Sequence, residues 1–356
     1  MTTLEKFQSL GLSPAIIKAL TKKGFEEPTA IQEQCIPLIL KEKADVLGQA
    51  QTGTGKTAAF GLPVLELVNP KQKQTQALIL TPTRELAIQV AEEINSFSPS
   101  ASVRTTPIYG GQSMDQQIRR LRAGTQIVVG TPGRVMDLLK RKKLILDDLQ
   151  FFVLDEADEM LNMGFIDDVE TILQYAPKEK RMLLFSATMP EAILRLSKKY
   201  MPHYQCVKVK KAQLTTNLTD QIYFELRESD KFESLCRIID IETEFYGMIF
   251  CRTKVNVDNI TSRLIARGYA AEGIHGDLSQ HQRERIFKKF KTRQIQILVA
   301  TDVAARGIDV NDLTHVINYA LPQDPESYVH RIGRTGRAGN KGTAITFITP
   351  AEYRKL

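Results

Sequence analysis

Residues 44 to 57 read ADVLGQAQTGTGKT, an apolar run followed by a glycine-rich loop, and a helix-like stretch, KTAAFGLPVLELV, begins at Lys56. Gly53 and Gly55 allow the backbone to wrap closely around a phosphate group. Lys56 supplies positive charge, and Thr57 offers a hydroxyl to a magnesium ion. A strand, a loop and a helix N-terminus that attracts anions are the context that a phosphate loop requires. The segment therefore predicts an α/β sheet with a nucleotide at its edge.

One position of this loop departs from the general pattern GxxxxGK[ST], since Ala50 stands where the first glycine is expected. A fortuitous Gly-Lys turn is therefore an alternative when the loop is considered alone.

A second apolar run, FFVLDEAD at residues 151 to 158, ends in acidic residues. The carboxyl ends of strands in a doubly wound sheet normally present its ligands. Asp155 is suited to hold Mg²⁺ through water, and Glu156 to orient and deprotonate the attacking water. Either Asp155 or Asp158, in isolation, could instead cap a helix. Together with the phosphate loop, the acids predict a nucleoside triphosphatase.

Short aliphatic runs alternate with amphipathic stretches along the chain, which predicts parallel sheets with helices on both faces. The first set of runs is ADVLGQA, ALILTP, QIVVGTP, FFVLDEA and RMLLFSAT, and the second is QIYFEL, GMIFCRT, AAEGIHG, QILVATD, HVINYA and GTAITFIT. The polar stretch between the sets predicts a linker over residues 209 to 218, although it could also be a long loop within one domain. A capping box of Ser279 and Gln282 predicts a helix whose apolar face carries Ile286, Phe287 and Phe290.

Composition excludes several protein classes. The 356 residues are 42% hydrophobic and 25% charged, which is ordinary for a globular protein of two domains. No apolar run approaches a membrane span and the N-terminus does not resemble a secretory signal, so we expect a cytoplasmic protein. Four scattered cysteines predict reduced, mostly buried thiols rather than a zinc site. The formal net charge of +7 is compatible with a polyanionic partner, or with a merely soluble basic surface.

At VLDEAD the sequence also resembles the DEAD-box family of ATP-dependent RNA helicases, and the resemblance extends over nearly the whole chain. The segments that carry it are GFEEPTAIQ, AQTGTGKT, PTRELA, the pair Gly110 and Gly111, TPGR, DEAD, SAT, IFCRTK, HGDLSQHQR, ATDVAARGID and HRIGRTGRAG. The family's loop also begins with alanine. The resemblance implies two tandem RecA-like α/β domains, over residues 1–208 and 219–356, each a mostly parallel sheet flanked by helices on both faces.

The resemblance assigns Phe25 to stacking on adenine and Gln32 to hydrogen bonding with its edge. From the residues alone, Phe25 would be a core residue and Gln32 a solvent-facing helix residue. By the same match, ATP contacts come from Thr52, Gly53, Thr54, Gly55, Lys56, Thr57 and Asp309.

In HRIGRTGR the resemblance identifies Arg334 and Arg337 as arginine fingers, which stabilise the transferring phosphoryl group. It also implies that His330 and Arg331 couple the second domain to the DEAD and SAT segments of the first, through Asp158, Ser186 and Thr188. Composition alone favours a different role for these arginines, a basic RNA-binding surface.

The resemblance further implies RNA contacts that suit phosphate and sugar rather than bases. The residues are Arg84, Gly111, Thr131 and Arg134 in the first domain, and Arg252, Gln280, Arg283 and Thr301 in the second. Taken alone, Gln280 and Thr301 could be ordinary helix-capping residues.

The implied activity is ATP-dependent, RNA-stimulated unwinding of short RNA duplexes, coupled to closure of the two domains around ATP and Mg²⁺. Three alternatives differ in what they leave unexplained. A small-molecule kinase or metabolic P-loop ATPase leaves the arginine series unused. A non-enzymatic RNA clamp would not need Glu156 or the fingers, and a related DNA helicase is disfavoured by GFEEPTAIQ and DEAD.

Overall fold

The computed structural model describes residues 3–42, 44–51, 53–98, 103–209, 219–305, 313–336 and 341–353. The chain divides into two compact units, unit 1 (Met1–Lys210) and unit 2 (Lys211–Leu356). The predicted linker, residues 209 to 218, lies outside the described residues apart from Val209, so its bounds stay a prediction.

Unit 1 is built on a parallel sheet of seven strands in the order β3-β4-β2-β5-β6-β1-β7. The strands are β1 (Asp45–Gln49), β2 (Ala77–Leu80), β3 (Thr105–Ile108), β4 (Ile127–Gly130), β5 (Phe151–Leu154), β6 (Arg181–Ser186) and β7 (Tyr204–Lys208). The helices are α1 (Thr3–Ser9), α2 (Pro14–Lys22), α3 (Ala30–Pro37) with a π-helical turn at Leu38–Glu42, α4 (Lys56–Leu67), α5 (Arg84–Phe97), α6 (Met114–Arg122), α7 (Pro132–Lys140), α8 (Ala157–Asn162), α9 (Ile166–Leu173) and α10 (Glu191–Tyr200).

Alternate residues of the unit 1 strands enter two separate apolar cores, as the two-residue period of a strand requires. Val46 and Leu183 face one core, which contains the buried faces of α1 to α5. Leu47 and Leu184 face the other, which contains the buried faces of α7 to α10. Because both faces are covered, central strands such as β2, β4 and β5 are continuously apolar rather than alternating.

Unit 2 repeats this architecture with six parallel strands in the order β10-β11-β9-β12-β13-β8. The strands are β8 (Thr219–Glu225), β9 (Gly247–Cys251), β10 (Ala271–Ile274), β11 (Ile297–Thr301), β12 (His315–Asn318) and β13 (Gly342–Ile348). The helices are α11 (Lys231–Ile241), α12 (Lys254–Ala266), α13 (Gln280–Lys291), α14 (Asp302–Ala305) and α15 (Pro325–Ile332). One core packs against α11 and α12, and the other against α13 and α14.

The expected fold class is confirmed, since both units are parallel sheets flanked by helices on two faces. The predicted helix at Ser279 is also confirmed, with the capping box formed and with Ile286 and Phe290 buried. Of the four thiols, Cys35, Cys236 and Cys251 are buried, whereas Cys206 is exposed. None of the helices within the described ranges is long and apolar enough to cross a membrane.

Candidate functional site

The phosphate loop lies between β1 and α4, as the sequence predicts. Gly53 (φ 78°) and Gly55 (φ 87°) both adopt left-handed backbone, and Gly55 is the N-cap residue of α4. A side chain at either position would be strained there. The Thr54 hydroxyl donates to the Gln51 carbonyl at 2.7 Å, which tightens the turn. Thr52 lies outside the described residues.

Lys56 is the first residue of α4, and only 7% of it is exposed. Within the described part of the chain, its Nζ finds no hydrogen-bond acceptor. A buried ammonium group without an acceptor is unfavourable, so this position favours an anionic ligand that supplies one. Because Lys56 is also the first residue of a helix, whose N-terminus attracts anions, the residues present fit the phosphates of a nucleotide.

Asp155 follows β5 directly and is buried. Burial raises the pKa of its carboxyl to about 7, opposed by the attraction of Lys56 and reinforced by the neighbouring Glu156. Its Oδ1 accepts a hydrogen bond from the Glu156 backbone N–H at 3.0 Å. A buried carboxylate beside a phosphate loop has the donor chemistry that a hard divalent cation such as Mg²⁺ prefers.

Glu156 has left-handed backbone (φ 53°, ψ 52°) and is the N-cap residue of α8. For a residue with a side chain this conformation costs about 1–2 kcal/mol, and such strain persists only where the surroundings enforce it. The half-buried carboxylate is thereby held at the sheet edge beside Asp155. The N-cap residue of α8 is therefore Glu156, without a side-chain cap bond, and neither Asp155 nor Asp158 occupies the N-cap position that the alternative interpretation gave them.

Asp158 connects the DEAD segment to the SAT segment after β6. Its Oδ2 accepts hydrogen bonds from the Ala187 N–H (3.1 Å), the Thr188 N–H (2.7 Å) and the Thr188 hydroxyl (2.9 Å). In return, the Asp158 N–H donates to the Ser186 Oγ at 3.1 Å. Asp158, Ser186 and Thr188 are therefore brought together inside unit 1, and their predicted role in coupling to the second domain stays a prediction.

Gln32 is buried, which contradicts the solvent-facing position that the residues alone predicted. Its Oε1 accepts from the Thr29 N–H at 3.0 Å, and its Nε2 donates to the Gly55 carbonyl at 3.2 Å. The amide therefore joins the cap of α3 to the phosphate loop. Phe25 is partly buried against the core, with edge-on contacts to Phe7 (ring centroids 6.4 Å apart) and Phe97 (5.7 Å).

The predicted RNA contacts of unit 1 meet at the carboxyl ends of β2, β3 and β4. Arg84 is the first residue of α5. Its Nη2 lies close to the Gly110 backbone, since a Cβ added at Gly110 would be 3.3 Å from that atom. Arg134 donates from Nη1 to the Gln112 carbonyl at 3.2 Å. Burial lowers the pKa of Arg134. The nearby Asp137 raises this pKa, and the positive charge of Arg84 lowers it further. Two guanidinium groups that repel each other favour an anion between them.

Two further residues shape this surface. Gly111 has φ 86°, a left-handed conformation that glycine adopts without strain, and Thr131 is the N-cap residue of α7.

Sequence reasoning missed Gln117 of α6, which is buried and donates from Nε2 to the Tyr109 carbonyl at 2.8 Å. It thereby fixes the chain just before the glycine pair. No pattern in the sequence distinguishes this glutamine from an exposed one.

In unit 2 the predicted RNA contacts follow three neighbouring strands, β10, β11 and β9. Arg283 donates from Nη2 to the Ala304 carbonyl at 3.3 Å, and the Thr301 hydroxyl accepts from the Ala304 N–H at 3.4 Å. Gln280 is buried and donates to the Glu284 carboxylate at 3.3 Å. Arg252 is exposed after β9. The capping alternative is therefore correct for Thr301, whose hydroxyl accepts from the first turn of α14, and wrong for Gln280, because Ser279 is the N-cap residue of α13. The RNA contacts of these residues stay predictions.

The HRIGRTGR segment forms the end of α15 and the turn that follows it. His330 is half-buried, and the Arg334 N–H donates to the Arg331 carbonyl at 3.1 Å. Arg331 is buried and forms a bidentate pair with Asp302 at 2.5 and 2.7 Å. Sequence reasoning missed Asp302 as its partner, although this acid lies in the ATDVAARGID segment. Asp309 and Arg337 lie outside the described residues.

Comparison with known proteins gives consistent results over both units. Residues 29–196 match the family model of the DEAD/DEAH box helicases, and residues 230–339 match that of the helicase conserved C-terminal domain. The chain is 54% identical over 356 residues to the DEAD-box ATP-dependent RNA helicase CshA of Geobacillus kaustophilus, covering all of this chain and 75% of that protein. It is 53% identical over 350 residues to the Bacillus subtilis protein of the same description, covering 98% and 71%.

Solved structures give the same result. Dbp5 of S. cerevisiae bound to RNA and ADP BeF3 has a TM-score of 0.88 at 36% identity, over 97% of this chain and 89% of that one. A DEAD box protein of Methanococcus jannaschii has a TM-score of 0.58 at 53% identity, over 99% and 95%. With two matching domain models and more than half of its residues shared with such relatives along its whole length, this chain belongs to the DEAD-box helicase family.

Proposed function

We propose that this chain is an ATP-dependent RNA helicase that grips single-stranded RNA by its backbone and locally unwinds short duplexes. One observation carries the proposal, the order of residues along the carboxyl edge of the unit 1 sheet. The strands β3, β4 and β2 lead to Gly111, Thr131 and Arg84, and the adjoining strands β5, β6 and β1 lead to Asp155, Ser186 and the phosphate loop. The residues proposed to contact RNA phosphates and those proposed to bind the nucleotide therefore adjoin each other along one edge of the same sheet.

The two halves of this edge are joined by backbone hydrogen bonds. The Asp155 N–H donates to the Leu80 carbonyl at 3.0 Å, so the acidic strand end is fixed to the strand that leads to Arg84. The two halves of the edge are therefore adjoining parts of one hydrogen-bonded sheet, with no long loop between them. This connection supports RNA-dependent activity over a metabolic P-loop ATPase, which needs no such surface.

For ATP we propose that Lys56 and the N-terminus of α4 hold the phosphates, with Gly53, Gly55 and Thr54 shaping the loop. Mg²⁺, when bound, would neutralise phosphate charge that develops during transfer, with Thr57 and Asp155 on its protein side. Glu156 orients the attacking water and accepts its proton. Phe25 and Gln32 would contact the adenine, and the remaining bonding capacity of the Gln32 amide is consistent with that role.

For unit 2 we propose that Arg334 and Arg337 act as arginine fingers and that Asp309 contacts the nucleotide. His330 and Arg331 would couple this unit to the DEAD and SAT segments. In this scheme one nucleotide engages both units and RNA engages both, so each ligand strengthens binding of the other. RNA then stimulates hydrolysis, and hydrolysis releases the strained RNA.

The proposed RNA contacts do not depend on the base sequence. Arg84, Arg134 and Arg283 are suited to phosphate oxygens, and Gly111 admits close approach of a strand. The 52–54% identical relatives named as RNA helicases, and the RNA-bound structures that this chain resembles, favour RNA over DNA.

Strand displacement tests the proposal. A short RNA duplex with a single-stranded extension should separate in the presence of the protein, Mg²⁺ and ATP, and should stay paired with ADP or with the Glu156→Gln variant. A matched DNA duplex tests the choice of nucleic acid, because the 2′-hydroxyl is the distinguishing group. Equal separation of DNA would favour the DNA helicase, and ATP-dependent binding without separation or turnover would favour the RNA clamp.

A further inference from the structure

The glycine pair of unit 1 lies in a turn whose two ends are held by side chains from neighbouring helices. At one end, the Tyr109 carbonyl accepts a hydrogen bond from the Gln117 Nε2 of α6 at 2.8 Å. At the other end, the Gln112 carbonyl accepts from the Arg134 Nη1 of α7 at 3.2 Å. The two glycines lie between these bonds. The backbone that is proposed to approach RNA is therefore restrained on both sides by residues outside the turn.

Gln117 is an unusual residue for its position in α6. It is 2% exposed and is the fully buried residue of this helix, whose apolar residues Met114, Ile118 and Leu121 are only partly buried. Fully buried positions of an amphipathic helix normally carry apolar side chains. A polar side chain at the most buried point of α6 therefore needs a reason other than packing.

The Gln117 amide has a hydrogen-bond partner at one end only. Its Nε2 donates to Tyr109, whereas its Oε1 is buried and has no donor among the residues that the structure describes. An amide oxygen is an acceptor, and a buried acceptor without a donor lowers stability. An apolar side chain of the same length would avoid that loss. The amide is therefore better explained by the carbonyl that it holds than by the stability of unit 1.

Holding the Tyr109 carbonyl matters because the next two residues are glycines. Glycine has the greatest backbone freedom of any residue, and Gly111 adopts a left-handed conformation with φ 86°. Gly110 lies against Arg84, since a Cβ added there would be 3.3 Å from the Arg84 Nη2. A turn that exchanges between conformations presents the one that binds RNA for only part of the time, and the apparent affinity falls by that fraction.

We infer that Gln117 is a positioning residue, which holds Gly110 and Gly111 in the conformation that an RNA phosphate requires and makes unit 1 less stable than an apolar side chain would. This inference rests on the proposed function and deepens it, because it assigns part of the RNA affinity to a buried residue that does not touch RNA. RNA affinity and stability are thereby separated at this position, so one substitution should lower the first and spare the second.

The test compares Gln117→Met with Gln126→Met in the full chain. Methionine is unbranched and adaptable, so it fills the space of a glutamine without its amide. Gln126 is the matched control, since it is also buried (3% exposed) but has partners at both ends of its amide. Its Nε2 donates to the Gln72 carbonyl at 2.6 Å, and its Oε1 accepts from the Arg104 N–H at 2.9 Å. It directly precedes β4, at the edge of the sheet opposite to the glycine pair.

RNA affinity is measured by fluorescence anisotropy of a labelled single strand, with and without a non-hydrolysable ATP analogue, and stability by the thermal unfolding midpoint. We expect Gln117→Met to raise the Kd for RNA by roughly 3- to 10-fold, the scale of one net hydrogen bond. Its unfolding midpoint should stay within about 2 °C of the unmodified value. Gln126→Met should show the reverse, an unchanged Kd and a midpoint lowered by roughly 3 to 8 °C, because two hydrogen bonds are lost.

Two results would overturn the inference. One is unchanged RNA affinity in Gln117→Met. The other is an unfolding midpoint that falls as far in Gln117→Met as in Gln126→Met, because weaker RNA binding would then reflect a purely structural role. If the unmodified chain itself binds no RNA, the proposed function fails, whereas RNA binding that survives Gln117→Met defeats this inference alone.

A second variant keeps the inference falsifiable if Gln117→Met does not fold. Gln117→Glu preserves the shape of the side chain, and its carboxyl can donate to the Tyr109 carbonyl only when it is protonated. The RNA affinity of this variant, relative to that of the unmodified chain at the same pH, should therefore recover as the pH is lowered from about 9 to about 5.5. A ratio that is equal at the two pH values would contradict the role assigned to Gln117.

Discussion

The Asp158 carboxylate accepts two hydrogen bonds from Thr188, one from its N–H at 2.7 Å and one from its hydroxyl at 2.9 Å. Asp158 lies after β5 and is buried, and Thr188 lies after the neighbouring strand β6. The pair therefore fixes the SAT segment to the DEAD segment at the edge where Asp155 and Glu156 lie.

Removing the hydroxyl of Thr188 should destabilise unit 1. In Thr188→Val the Asp158 Oδ2 loses one donor and keeps its burial, and a hydrogen bond to a charged group contributes about 1.5–3 kcal/mol. Denaturant unfolding followed by circular dichroism measures the decrease in stability. The matched control is Thr171→Val, whose hydroxyl donates to the Asp167 carbonyl in an exposed position and whose effect should stay within about 0.5 kcal/mol. Equal effects of the two substitutions would contradict the role assigned to Thr188.

Gly55→Ala should abolish nucleotide binding through a steric conflict as well as through backbone strain. A Cβ at Gly55 would lie 2.3 Å from the Gln32 Nε2, and φ there is +87°. Gly268→Ala is the control, because φ is +88° there and nothing lies within 4 Å of the added atom. Both variants introduce backbone strain of about 1–2 kcal/mol. Only Gly55→Ala should lose affinity for a fluorescent ATP analogue, and full affinity in that variant would show that the loop does not hold phosphate.

The Mg²⁺ requirement should depend on pH through Asp155. The carboxyl has a pKa raised by burial to about 7, so the neutral form is favoured below that pH and the charged form above it. A cation needs the charged form. The apparent affinity of the protein–ATP complex for Mg²⁺ should therefore rise by about tenfold between pH 6 and pH 8, as titration of a single carboxyl gives.

The Asp155→Asn variant is the control for that titration, since any pH dependence that it retains belongs to the nucleotide. The same slope in both proteins would show that Asp155 is not the titrating group.

Arg134→Ala should weaken RNA binding almost equally for all base sequences, because its partner would be phosphate. The slope of log affinity against log salt concentration should become shallower by about 0.7 for each phosphate of a single strand that the variant no longer neutralises. Arg104→Ala is the matched control, because Arg104 also donates to a backbone carbonyl, that of Ala123 at 3.0 Å, but precedes β3 at the opposite edge of the sheet. An unchanged slope in Arg134→Ala would remove this residue from the RNA surface.

The central strands and the phosphate loop could be predicted because their signals are local. A buried parallel strand such as β5 is apolar throughout, and the pattern of Gly53, Gly55 and Lys56 after a strand is typical of a phosphate-binding loop. Two edge strands were missed. In β3 the run TTPI contains a proline, and in β7 only Val207 is buried, so neither has an apolar run. Edge strands commonly carry proline or charged side chains, which discourage pairing with another chain, so they lack the apolar signal of a central strand.

Residues whose role depends on distant partners could not be predicted. The burial of Gln32 follows from its hydrogen bond to Gly55, 23 positions later. The restraint on Arg331 follows from Asp302 and Asn318, and Gln117 acts on the Tyr109 carbonyl. Helix periodicity does not reveal which polar residue of a helix finds a buried acceptor, so these interactions become visible only in three dimensions.

The measurement that tests the central claim most directly is steady-state ATP turnover of the purified chain with Mg²⁺, with and without a saturating single-stranded RNA, beside the Glu156→Gln variant. We predict that RNA raises kcat many-fold in the unmodified chain and that Glu156→Gln has little turnover under either condition while still binding ATP. Equal turnover with and without RNA, or undiminished turnover in Glu156→Gln, would contradict the account.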